Sequence, residues 1–177
     1  ETLVRVRGSE AEPVRGVQFS GICFSYSSCP LPSGGYGGIQ ASYFENRLVP
    51  AHLRKLNTET ESSHLRLSAA IELSFAEDCG FLKSTFKHLG GGGIYLGRQT
   101  NNCFVKSSQI DDVGGCGVMV GETVTRKDPK GRSLVCDGNA IEGNQISQCG
   151  QVLFGSVGVW VGIAKRTLVI SNEIFNL

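Results

Sequence analysis

Residues 78–97 and 102–121 are close to one phrase written twice. Asp78-Cys79-Gly80-Phe81 leads to His88-Leu89-Gly90-Gly91-Gly92-Gly93-Ile94-Tyr95-Leu96-Gly97, and Asn102-Cys103-Phe104-Val105 leads to Asp112-Val113-Gly114-Gly115-Cys116-Gly117-Val118-Met119-Val120-Gly121. The two copies align without a gap at an offset of 24 residues. Self-similarity at such a period marks a solenoid, whose repeats bury their apolar faces only by stacking on one another. Short apolar/polar alternations broken by Gly and Asn fill the period, and no ten-residue stretch has helical periodicity. The repeat is therefore built of strands, and the expected unit is one rung of a β-helix.

The totals narrow the field by exclusion. With 177 residues, 40% of them apolar, and a net charge of +1, the chain suits one β-helix domain over 1–177 with a substantial core. It has no basic run and no block of like charge, so nothing in it points to nucleic acid. No apolar run has the length of a membrane span. The chain starts without Met or a signal peptide and ends on an apolar half-rung, so a longer parent protein is expected. Seven cysteines leave at least one unpaired, and their spacing fits no zinc set. Cys79 and Cys103 share a repeat column, which admits either a disulfide between rungs or two stacked buried thiols.

In chain order, Leu3–Gly8 reads as a strand, and Val17–Phe19 and Gly21–Phe24 as two more. Gly38–Ala41 resembles the entry to a rung. Two excursions leave the wall, one at 42–67 with His52 and His64, the other at 122–137. Ala70–Leu73 restarts the rungs between them, Asn139–Ile146 resumes after the second, and a short extension at 151–157 leads to Gly158–Gly162.

Stacking the rungs produces columns. Phe86, Ile110, Ile146 and Ile174 form an inward apolar stack, and Ser84, Ser108, Asn144 and Asn172 a polar ladder at a turn. In the strand Gly-Ile-Tyr-Leu-Gly the faces alternate. Ile94 and Leu96 point inward, which leaves Gln40, Glu72, Tyr95, Met119 and Trp160 as an outer column. Flat aromatic faces beside polar groups suit sugar rings, so these five residues, Glu72 excepted, are the candidate substrate-binding set. The excursions folding back over the strip as ordinary core is the other expectation. A third column, His88, Asp112, Gln148 and Asn176, lies at the turn before each of these strands. Glycoside hydrolysis needs paired carboxylates, and Glu72 and Asp112, about two rungs or roughly 10 Å apart, come near the inverting spacing. Asp112, Glu72, His88 and Glu122 are the candidate catalytic residues, with His88 orienting or sharing a proton. No metal or other cofactor is expected.

Gly21–Phe24, Phe86–Gly91, Asp112–Gly121 and Ser171–Leu177 together resemble the right-handed parallel β-helix proteins of the pectin-lyase-like superfamily, and within it the large bacterial glycoside-hydrolase-type members. The resemblance implies an all-β, right-handed, single-stranded parallel β-helix acting on carbohydrate, in a secreted or periplasmic setting. That superfamily also holds polysaccharide lyases and non-catalytic modules that bind glycans or serve as stalks, and both stand as alternatives. The site residues rest on the column argument.

Overall fold

The computed structural model describes residues 1–29, 68–123, 125–128 and 130–177. The excursion expected at 42–67, with His52 and His64, and the candidate Gln40 lie outside the described residues.

Among the described residues, five rungs of four strands each stack into a parallel β-helix. The first rung is β1 (Val4–Arg7), β2 (Val14–Arg15), β3 (Gln18–Ser20) and β4 (Cys23–Ser27). The second is β5 (Ala69–Ser74), β6 (Ala76–Glu77), β7 (Gly80–Leu82) and β8 (Thr85–Leu89). The third is β9 (Gly92–Leu96), β10 (Thr100–Asn101), β11 (Phe104–Lys106) and β12 (Gln109–Val113). In the fourth, β13 (Val118–Val120) precedes the excursion, whose β14 (Arg126–Lys127) and β15 (Ser133–Leu134) pair antiparallel. The rung then resumes with β16 (Cys136–Asp137), β17 (Ala140–Glu142) and β18 (Gln145–Ser147). The excursion thus ends just before Cys136, because Asp137 already pairs in register with Asn101. The fifth rung is β19 (Val159–Val161), β20 (Ala164–Lys165), β21 (Leu168–Ile170) and β22 (Glu173–Phe175).

Like strands of successive rungs hydrogen-bond in parallel and form four walls. The first wall is β1-β5-β9-β13-β19, the second β2-β6-β10-β16-β20, the third β3-β7-β11-β17-β21 and the fourth β4-β8-β12-β18-β22. Ile71, Ile94 and Val118 stack inward along the first wall, and Phe24, Phe86, Ile110, Ile146 and Ile174 along the fourth. Phe19 stacks on Phe81 at 5.1 Å and Phe24 on Phe86 at 5.1 Å, so like rings pack face to face one rung apart.

The corners depend on left-handed backbone. Gly16, Asp78, Asn102, Gly138 and Arg166 turn the chain from the second wall to the third, and Gly21, Lys83, Ser107, Gly143 and Ser171 from the third to the fourth, all at positive φ. The residue after each turn points inward, where its backbone N–H needs an acceptor. At the third-to-fourth corner the ladder supplies one each time. The N–H groups of Ile22, Ser84, Ser108 and Asn144 donate to side-chain oxygens of Ser84, Ser108, Asn144 and Asn172, one rung further on. At the second-to-third corner Cys79 and Cys103 take the same position as free, buried thiols, not as a disulfide. Burial pushes the Cys103 thiol up to about 12, so it packs as a small neutral group.

Candidate functional site at the corner between the fourth and first walls

Arg5, Glu72, Tyr95, Met119 and Trp160 do form one outward column of the first wall, each opposite the next in register. The expectation that this strip is open is corrected. Tyr95 is 8% exposed and Met119 2%, and only Trp160 is half-buried. Tyr95 and Met119 join Ala69 and Cys116 in a second apolar cluster outside the barrel, with Val157 and Trp160 packed on it. Glycines let these side chains lie flat. A methyl group at Gly97 would meet the Tyr95 ring at 2.2 Å, and one at Gly162 the Trp160 ring at 2.2 Å. Large apolar groups on one outer face gain more by collapsing together than by standing in water.

The carboxylates are also distributed differently from the expected pair. Glu72, mid-strand in β5, is engaged by Arg5 Nε at 3.3 Å and by the Ala69 N–H at 3.4 Å. Asp112 lies in β12 of the next rung, at the corner leading into β13, where its side chain meets His88 and not Glu72. Glu122 lies past the opposite edge of the first wall. Arg126 Nε donates to both of its oxygens at 3.0 and 3.1 Å, and Arg98 Nε is 3.6 Å away, which makes it an anchor of the excursion.

The third column is assembled as its spacing requires. Tyr26, His88, Asp112, Gln148 and Asn176 all have φ between 48° and 63° and turn the fourth wall into the first. The left-handed residue is the extra one at each corner. Lys87 pairs with Asp111 and Leu89 with Val113, while His88 and Asp112 are pushed outward between them. His88 Nδ1 and Asp112 Oδ2 are 2.7 Å apart, with side chains 40% and 44% exposed. Tyr26 stacks on the imidazole, ring centroids 5.0 Å apart and planes at 27°. Beside the pair, Ser147 Oγ donates to Asp111 Oδ1 at 2.5 Å. Asp112 and His88 are therefore the two sequence candidates that meet. Tyr26 was missed, although Phe24 sits opposite Phe86 and two residues further places Tyr26 level with His88.

The chemistry of such a pair is specific. A carboxylate on Nδ1 fixes the neutral imidazole as the Nδ1–H tautomer and leaves Nε2 as an acceptor; once protonated, Nε2 becomes a donor. The corner can thus take or give a proton at one defined atom. Among the described residues no group of three or more His, Cys, Asp and Glu side chains is placed to hold a metal ion, and no helix is long and apolar enough to cross a membrane.

Among solved structures the chain is similar in fold to a protein titled "Glycoside hydrolase", at 23% identity and a TM-score of 0.81. The alignment covers 100% of this chain and 32% of that one, so the chain spans about a third of its length. A pentapeptide repeat protein from the cyanobacterium Cyanothece 51142 aligns over 92% of this chain and 84% of its own at 12% identity, but its TM-score of 0.17 carries no argument. No curated protein matches. The family described as "Right handed beta helix region" matches residues 69–177, and with the stacked parallel walls this shows that the chain belongs to the right-handed β-helix family.

Proposed function

We propose that this chain is part of a carbohydrate-active protein, a glycoside hydrolase in a secreted or periplasmic setting, whose proton-transfer group lies at the corner between the fourth and first walls. The observation that carries this reading is the exposed His88–Asp112 pair at 2.7 Å, held on rigid left-handed corners of adjacent rungs. Asp112 orients the imidazole, and Nε2 of His88 exchanges a proton with the attacking water or the leaving sugar oxygen. The fold likeness to a protein titled "Glycoside hydrolase" supports the substrate class. Asp112→Asn in the full-length protein tests it. Asn tolerates left-handed backbone and removes the charge, so turnover of polysaccharide falls by about 10²-fold or more while the melting temperature stays within a few degrees. Unchanged turnover removes Asp112 from the mechanism.

One observation favours a second reading, a non-catalytic glycan-binding module. Glu72 and Glu122, the carboxylates considered beside Asp112 for a two-carboxylate mechanism, are both engaged by arginines, which supports binding without hydrolysis. Glycan binding without turnover in the wild-type full-length protein, insensitive to Asp112→Asn, is the result that selects it.

A further inference from the structure

We infer that Tyr26 is a positioning residue for His88: its ring holds the imidazole in the orientation in which Asp112 grips Nδ1. The inference rests on the proton-transfer role proposed for His88, but its structural half stands on geometry alone. Tyr26 has φ 63°, a conformation that bulky side chains rarely adopt. In the same rung the chain turns its other two left-handed corners with glycine, Gly16 at φ 68° and Gly21 at φ 69°. In that rung it is the corner at the end of the fourth wall that carries an aromatic residue; the other left-handed aromatic among the described residues, Phe75 at φ 49°, lies between β5 and β6 of the next rung. The fold itself sets left-handed backbone at its corners, as at Lys83 and Arg166, so what is particular to this corner is the ring placed on it.

Burial does not explain this choice. Tyr26 is 77% exposed, so its ring contributes little to the core. Among the described residues its ring contact is with His88, at 5.0 Å and 27°. The imidazole therefore has Tyr26 against a face and Asp112 Oδ2 on its Nδ1 edge. Each contact alone leaves one torsion of an exposed side chain free to wander. Together they restrict both χ angles. A π face also favours a ring that becomes cationic during proton transfer. The contact is built into the fold, because Phe24 and Ser25 pair with Phe86 and Lys87 immediately before the two corner residues.

The experiment compares Tyr26→Asn with Tyr26→Phe in the full-length protein, by kinetics on neutral polysaccharide and by NMR of the His88 ring protons, identified through His88→Asn. Asn fits the left-handed corner and removes the ring, so the fold is kept. Tyr26→Asn is expected to lower kcat by about tenfold with KM unchanged, the rate equivalent of one stacked ring pair. It also abolishes the upfield ring-current shift of the His88 protons. Tyr26→Phe retains both. A raised KM with unchanged kcat makes Tyr26 a sugar contact and overturns the inference, as does an unaltered His88 spectrum in Tyr26→Asn. If the wild type turns over no polysaccharide but the His88 shift vanishes in Tyr26→Asn, the enzymatic reading fails while the positioning contact stands.

Discussion

Two corners of this solenoid use the same backbone step for opposite purposes. From the third wall to the fourth, the left-handed residues are generic (Gly21, Lys83, Ser107, Gly143, Ser171), and the specific chemistry belongs to the next residue, which turns inward: Ser84, Ser108, Asn144, Asn172. From the fourth wall to the first, the inward residues include Leu89, Val113 and Cys149, all buried, and the specific chemistry is on the left-handed residues themselves: Tyr26, His88, Asp112. The first corner satisfies buried N–H groups, and the second displays side chains to solvent. In a β-helix, then, the residue at a left-handed corner is open to function, whereas the one after it belongs to stability.

Asn144→Ala tests the inward half of this contrast and has the largest expected effect on stability. Asn144 Oδ1 accepts from the Ser108 N–H at 2.9 Å, and Nδ2 donates to Val105 O and Asn172 Oδ1, each at 2.9 Å. Truncation strands these groups inside the barrel, and denaturant unfolding is expected to show a loss of about 3 kcal/mol. A loss as small as that of an exposed ion-pair mutant would break the comparison.

Outside the rungs, the β14–β15 hairpin sets a different kind of stability against that of the ladder. The Arg132 N–H, then the Arg132 guanidinium and the Lys130 N–H, hold the Asp128 carboxyl below its ordinary value. A depressed acid stabilises above its unfolded value and ceases to do so as pH falls through its folded one. The hairpin is expected to keep full amide protection at neutral pH and to lose it below about pH 4, while the neutral Ser/Asn ladder keeps its own. Hydrogen exchange read at both places checks it, and parallel loss would show one cooperative unit.

The smallest effect sharpens the comparison most. Lys83→Gly and His88→Gly both relieve a left-handed residue and gain the entropy cost of glycine in exchange, so each is expected to be more stable by about 0.5 kcal/mol. Only His88→Gly loses activity. Thermal unfolding of the two variants side by side is the measurement, and a destabilised His88→Gly would mean that this corner also supports the fold.

Much of this was legible in the sequence. The 24-residue echo, the inward Phe86–Ile174 stack and the Ser/Asn ladder follow from alternation and period, because each is set by neighbours one rung away. The column of His88 and Asp112 was legible for the same reason. Burial of Tyr95 and Met119 was not, since pleat parity says which side of a wall a residue leaves from but not what settles on it. Nor were the partners of Glu72 and Glu122, because Arg5, Arg98 and Arg126 reach them through side-chain conformations that no periodicity encodes. Tyr26 escapes because the strand expected over Gly21–Phe24 stops three residues short of Ser27, where β4 ends.

Parallel pairing of each wall strand with its counterpart one rung away makes each coil a mould for the next. Growth of the folded state is then expected to resemble the advance of a crystal face, with a whole coil laid down before another can seat. An error of one position within a coil is not averaged out by distant contacts. It is copied into the seam that follows, so fidelity rests on the corners, where a single misplaced left-handed residue would turn every later coil out of line.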